Sequence, residues 1–304
     1  MHCVDFLDRF EACIISGAIG DAWGSSYENE IKIDDSHIYY LGKKNINRRV
    51  WSITDDTQMT LATCEVLSED SFTPENLINK FIEYYRSRKL TGIGASTLKA
   101  ILDTEAGIHW SQAGRTGEFA AGNGGAMRIA PFAFFSHMTR QDIYEACKVT
   151  HRNDEAFSGA LAVFLSIKAI LNSDWNGNNN LFDIIIPEIP DTSVKDRLIE
   201  INSIGNNSSI SEISKLGNNG YVVNSVPFAI YCSTKIIDLG LEEMLKQIIS
   251  SGGDTDTNAS IAGQIAGTLI GTENIPHELI LKLKKLPDYK WIKPIIDATK
   301  QKIS

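Results

Sequence analysis

The sequence is short of the residues and spacings on which several common architectures depend. Its five cysteines (Cys3, Cys13, Cys64, Cys147 and Cys232) contain no CxxC pair. That argues against a disulfide or zinc framework and suits a reducing compartment. The six histidines are dispersed, with no HxxxH spacing. Positive charge is also scarce. A formal net charge of -9 disfavours a phosphate-backbone binder, and Lys43-Lys44 with Arg48-Arg49 is too short a basic stretch to reverse that. No apolar run approaches the ~20 residues needed to span a bilayer. Near the N-terminus Asp5, Asp8 and Glu11 interrupt the apolar residues, unlike a signal peptide. A cytoplasmic protein without a membrane partner is expected. Strand signals are confined to Ile38-Tyr39-Tyr40 and Ile184-Ile185-Ile186, and no βαβ alternation appears, so a Rossmann-like sheet is not expected.

What is present is helical periodicity. Phe6, Phe10, Cys13, Ile14 and Gly17 share one face. Thr73-Pro74 reads as a helix cap and first turn ahead of the stripe Leu77, Ile78, Phe81, Ile82 and Tyr85. Thr139 with Asp142 reads as a capping box. A long helix is expected through Phe157, Ala160, Val163, Phe164, Ile167 and Leu171, and another from Leu241 to Ile249, stopped by Gly252-Gly253. Gly263, Gly267 and Gly271 recur every four residues beside Ile261, Ile265 and Leu269. Glycine costs roughly 1 kcal/mol per helical position, so such a stripe implies that another helix backbone approaches closely. The expectation is an all-α, compact single domain over 1–304, with an Asn-rich irregular surface excursion, built about one helix, around 172–219.

Two aspartate-rich clusters lie nearly at opposite ends of this pattern. Thr54-Asp55-Asp56-Thr57 precedes an amphipathic run, so its acids sit at a helix N-terminus, where the macrodipole and free amides favour carboxylates. Adjacent residues in a turn project differently and can serve two ions; plain capping accounts for this cluster equally well. In Asp254-Thr255-Asp256-Thr257 the i and i+2 carboxylates of an extended segment point the same way. Asp254, Asp256 and Thr257 can then grip one hard cation, Mg²⁺, Mn²⁺ or Ca²⁺. If both clusters meet, they form an oxygen-only metal site. Asp21 and Glu28 lie in a stretch with Gly17, Gly20 and Gly24 that reads as a tightly turned loop able to place an acid in a cleft. The glycine-rich Gly122-Asn123-Gly124-Gly125-Ala126-Met127-Arg128 offers amides for a diphosphate. Arg128 suits either a phosphate or a structural ion pair, and His151 is read as opening the helix through Phe157. The DxDxT at Asp254 to Thr257 also matches a phosphatase motif, which requires a buried strand before it.

Taken in order, Gly17 to Glu28, Thr54 to Thr57, Gly122 to Arg128, Thr150-His151, Gly220 to Pro227 and Gly252 to Thr257 with its glycine-spaced helix resemble the ADP-ribosylglycohydrolase family. The resemblance implies an orthogonal helix bundle with a central dinuclear cleft holding two Mg²⁺ or Mn²⁺ ions. It implies metal ligands at Thr54, Asp55, Asp56, Asp254, Asp256 and Thr257. Glu28, Asp55 and Asp56 are the implied catalytic acids, and Gly122, Asn123, Gly124, Gly125, Met127 and His151 the substrate contacts. The implied reaction is attack of a metal-activated water at C1″ of the distal ribose, which removes ADP-ribose from a protein, arginine above all, or from a small-molecule conjugate. Nucleic acid is disfavoured except as a modified substrate, and an ADP-ribosyltransferase toxin is a conceivable counterpart. The segment after Tyr85 carries no acid, although some arginine-specific members offer a carboxylate there. A non-catalytic ADP-ribose binder or toxin-neutralising member is the alternative reading, and a DxDxT phosphohydrolase the third.

Overall fold

The computed structural model describes residues 5–28, 50–69, 72–205 and 207–303. In chain order the helices are α1 (Phe6–Ser25), α2 (Asp55–Leu67), α3 (Pro74–Arg86) and α4 (Ala95–Glu105). A two-residue strand β1 (Arg115–Thr116) precedes α5 (Arg140–Lys148), and β2 (His151–Arg152) precedes α6 (Asp154–Leu171). Then come α7 (Leu181–Ile185), α8 (Ser193–Ile204), α9 (Ile210–Ile213), α10 (Val222–Ser233), α11 (Ile236–Ser250), α12 (Thr255–Ile270), α13 (His277–Lys284) and α14 (Tyr289–Lys300). Among the described residues β1 and β2 form the only sheet, a parallel pair with Arg115 opposite His151. The expected all-α architecture is what the chain adopts. The candidate strand at residues 38–40 lies outside the described residues. No helix among those described is long and apolar enough to cross a membrane.

The caps read from the sequence are in place. Thr73 accepts from the Asn76 amide ahead of Pro74, and Thr139 and Asp142 close a reciprocal capping box on α5. The buried apolar residues form one continuous cluster from Phe10 to Ile303. Cys13, Cys64, Cys147 and Cys232 are buried free thiols.

The fold is organised by α1 against α12, the most extensive helix pair, with α12 also packed on α10, α11 and α6. Glycine makes this possible. A Cβ on Gly263 would lie 2.9 Å from the Ser16 carbonyl carbon, and one on Gly24 would lie 2.6 Å from Asp256 Cα. A Cβ on Gly20 would meet the Ala259 backbone in the same way. The stripe therefore does bring a helix backbone into contact, but Gly271 is not part of it. That residue ends α12 at φ 74°. The partner face is the Gly17, Gly20 and Gly24 series, which corrects the loop expected there: α1 continues as helix to Ser25.

Three more expectations are corrected. The segment 172–219 holds α7, α8 and α9 and contributes Leu181, Phe182, Val194, Leu198 and Ile210 to the core. Its asparagines and serines hydrogen-bond locally: Asn180 caps α7, and Ser209 forms a capping box with Glu212. Ile184 and Ile185 belong to α7, with Ile186 in the 3-10 turn after it; so short an apolar run does not distinguish strand from helix. His151 sits in β2, and Asn153 caps α6 after it.

Candidate metal and substrate cleft

The site forms where the N-termini of α2 and α12 meet the C-terminal part of α1. Thr54 caps α2, so Asp55 and Asp56 occupy its first turn. Asp254 stands at the N-terminal boundary of α12 without a side-chain capping bond, and Asp256 is in the first turn. The two ends are bonded directly, since Thr257 Oγ1 donates to Asp56 Oδ2 at 3.0 Å. Asp21 on α1 lies beneath both. It is fully buried and accepts from the Thr54 amide (3.0 Å), Thr54 Oγ1 (2.8 Å), the Thr57 amide (3.1 Å) and Thr57 Oγ1.

Carboxylate oxygens of Asp21, Asp56 and Asp256 come within 4.8 Å of one another, and so do those of Glu28, Asp254 and Asp256. Asp256 belongs to both triads. No Lys or Arg forms an ion pair with these acids among the described residues. Burial first, then the neighbouring carboxylates, push Asp55 and Asp56 well above the ordinary carboxylate range. Burial likewise lifts Asp254 to about 7 and Asp21 and Asp256 to about 6. Glu28, at the exposed rim, is raised by burial and by Asp254. Asp56 Oδ1 is buried without a hydrogen-bond partner. Clustered hard oxygens, mutual repulsion and an orphaned carboxylate oxygen are what a divalent cation satisfies.

A cleft of about 280 Å³ opens above the acids. Of the residues singled out from the sequence, Glu28, Asp55, Asp56, Gly122, Asn123, Gly124, Met127, His151, Asp254, Asp256 and Thr257 line it. Thr54 does not line it and instead supports Asp21 and Asp56 from behind. Gly125 does not line it either; it faces the core, where a Cβ would meet Cys147 Sγ at 2.6 Å. In the glycine turn one of the amides expected to be open is taken. The Asn123 amide donates to Gly220 O at 3.3 Å, and Asn123 Nδ2 donates to Asp254 Oδ2 at 2.7 Å. Asn123 thus ties the turn to the acids, and the Gly220 segment is held beside it by the Gly122–Tyr221 bridge. Arg128 is 2 % exposed and bonded to Thr150 Oγ1 and to the Gly124 and Ala146 carbonyls, so it has no reach to a ligand. Asp55 lines the cleft but belongs to neither triad.

Sequence reasoning left out Asp21 as a candidate metal-holding acid, and it left out Gly92, Gly94, Ser96, Thr97 and Arg115 of the cleft wall. The signal for Asp21 was available: glycines at 17, 20 and 24 match those at 263 and 267 and mark a helix pair rather than a loop. The phosphatase reading fails, because a helix and the Gly252-Gly253 turn, not a strand, precede Asp254.

A family model described as ADP-ribosylglycohydrolase matches residues 3–303. The human protein ADP-ribosylhydrolase ARH3 is 26% identical over 321 residues, covering 89% of this chain and 87% of that one. ADP-ribosylarginine hydrolase Tri1 of Pseudomonas putida (strain GB-1) is 26% identical over 292 residues, covering 91% and 74%. A solved structure described as an ADP-ribosylglycohydrolase-related protein complex superposes with a TM-score of 0.72 at 21% identity, covering 98% of this chain and 99% of that one. With its fold and the match running through nearly every residue, this chain belongs to the ADP-ribosylglycohydrolase family.

Proposed function

We propose that this protein is a divalent-metal-dependent ADP-ribosylhydrolase that cleaves the bond between C1″ of the distal ribose and an acceptor, with ADP-ribosylated protein arginine as the preferred substrate. Membership of the family supports ADP-ribose removal in general. Arginine is favoured by the likeness to a relative named as an ADP-ribosylarginine hydrolase. The observation that carries the reading is the pair of carboxylate triads sharing Asp256 at the floor of the cleft whose wall holds the glycine turn and His151.

Asp21, Asp56 and Asp256 would hold one Mg²⁺ or Mn²⁺ ion, and Glu28, Asp254 and Asp256 a second. Bound there, the ions supply Lewis acidity for the ribose diol and lower the pKa of water. The chain itself does the rest. Thr257 and Thr54 hold the Asp56 carboxylate in place, and Asn123 fixes Asp254. Of the three acids suited to take a proton from the attacking water, Asp55 faces the cleft outside both triads and is therefore free to accept one. Departure of the acceptor leaves an oxocarbenium-like ribose, which the surrounding carboxylates stabilise. The test is release of ADP-ribose from ADP-ribosylated arginine on protein, with Mg²⁺, Mn²⁺ or EDTA. Turnover is expected only with metal, and full turnover after complete metal removal would refute the metal role.

A further inference from the structure

Behind the cleft wall a single buried cation organises two substrate-facing features. Arg128 donates through Nη1 to the Gly124 carbonyl and through Nη2 to Thr150 Oγ1 at 2.7 Å. Thr150 Oγ1 lies in turn 2.7 Å from His151 Nδ1. Thr150 is fully buried and His151 is 5 % exposed. A guanidinium can only donate, so the Thr150 oxygen accepts from Arg128. The hydroxyl carries one proton, and His151 Nδ1 is its only other polar neighbour among the bonds of the described residues. Were Nδ1 protonated, that buried hydroxyl proton would have no acceptor, an arrangement that native interiors avoid.

The geometry points to Arg128 and Thr150 as positioning residues that lock His151 in the neutral tautomer with its proton on Nε2, so that this wall of the cleft presents a hydrogen-bond donor to a ligand oxygen. Burial and the Arg128 charge also hold His151 down at about 3, so imidazolium does not form near neutrality. The Nε2 edge stands against the glycine turn. A Cβ on Gly122 would lie 3.2 Å from Nε2, and one on Gly124 only 2.7 Å from Cε1. The Arg128 bond to the Gly124 carbonyl sets the turn at the same time. Turn and imidazole are thus placed by one group, and the matching ligand feature is an anionic or hydroxyl oxygen that accepts without donating. Identifying that ligand as ADP-ribose rests on the function proposed above; the tautomer does not.

The test is ¹⁵N NMR of the histidine-labelled protein without ligand, the His151 signals being assigned by their loss in His151→Asn. A proton directly bonded to Nε2 and none on Nδ1, unchanged from pH 5 to 8, is expected. A proton on Nδ1 would overturn the inference without any variant. Thr150→Val, with folding checked by circular dichroism, should lose the single tautomer and weaken ADP-ribose binding roughly fivefold to tenfold by calorimetry, as for one lost hydrogen bond. Thr150→Ser should restore both. A Thr150→Val protein that keeps wild-type tautomer and affinity would also overturn it. Failure of the wild-type protein to bind ADP-ribose, with the Nε2 proton observed, would sink the functional reading and leave the relay standing.

Discussion

Replacing Gly263 with alanine should damage stability and metal binding together. The added methyl would lie 2.9 Å from the Ser16 carbonyl carbon and closer still to its oxygen, where ordinary contact begins at 3.4 Å. Neither neighbour is a flexible side-chain end; both belong to the α1 backbone. The helices must therefore part by ~0.5–1 Å, a gap that forfeits a quarter to a half of the dispersion energy across the face it opens. Overpacking a core costs about 1–3 kcal/mol, and a backbone obstacle puts Gly263→Ala at the upper end. For a chain of this size ~3 kcal/mol lowers Tm by roughly 5 °C. Because α1 carries Asp21 and α12 carries Asp256, the same displacement pulls apart the oxygens now within 4.8 Å. Thermal unfolding in EDTA measures the first effect, and the Mg²⁺ concentration that half-saturates ADP-ribose release measures the second, expected to rise about tenfold. An alanine variant with unchanged Tm and unchanged metal requirement would show that the glycine seam does not set the spacing of the carboxylates.

Other consequences follow from the charge cluster. Asp21 and Asp256 at about 6 and Asp254 at about 7 hold protons that the unfolded chain releases near pH 4. In EDTA the folded state therefore binds more protons across that interval, and Tm should fall as pH rises from 4 to 7; a rise would contradict the raised carboxylates. Saturating Mg²⁺ should flatten this slope and add about 2.7 kcal/mol at a hundredfold excess over Kd, seen as a Tm shift absent in EDTA. Asp56→Asn should abolish ADP-ribose release yet stabilise the protein in EDTA by roughly 1–3 kcal/mol, seen as a higher Tm, because it removes an ionisable group buried among like charges; a variant less stable without metal would refute the strain. Asp21→Asn should lose activity and stability together, by about 2 kcal/mol or more, since its four donors come from the first turn of α2 and the residue capping it; assays of both on one preparation check this.

How much of this was legible depended on whether a residue's role was local. Thr73 and Thr139 act within one helix turn, so their spacing states their role, and the same locality places Asp55 and Asp56 in the first turn of α2. The close approach of another helix to Gly263 and Gly267 was readable as well, because glycine in a helix has few other reasons. What escaped was the identity of the partner. Gly17, Gly20 and Gly24 carry the matching pattern, but glycines dense enough to suggest a turn concealed a helix, and Asp21 with it. Residues 172–219 misled for a related reason, since asparagine and serine serve loops and helix caps alike. The two-residue β2 is too short to leave any periodicity, so His151 could be flagged from its neighbours but not placed.

The seam between α1 and α12 has a bearing on biosynthesis. Thr255 Oγ1 donates to the Gly24 carbonyl across 231 positions of sequence. While the ribosome extends the polypeptide, Asp21 emerges long before Asp256, the acid it meets in the candidate site. Everything between the two acids must be translated before that carboxylate triad can close, and so long a loop makes its closure slow. A product terminated before Asp254 would therefore lack the acid shared by both triads, and with it either complete cluster.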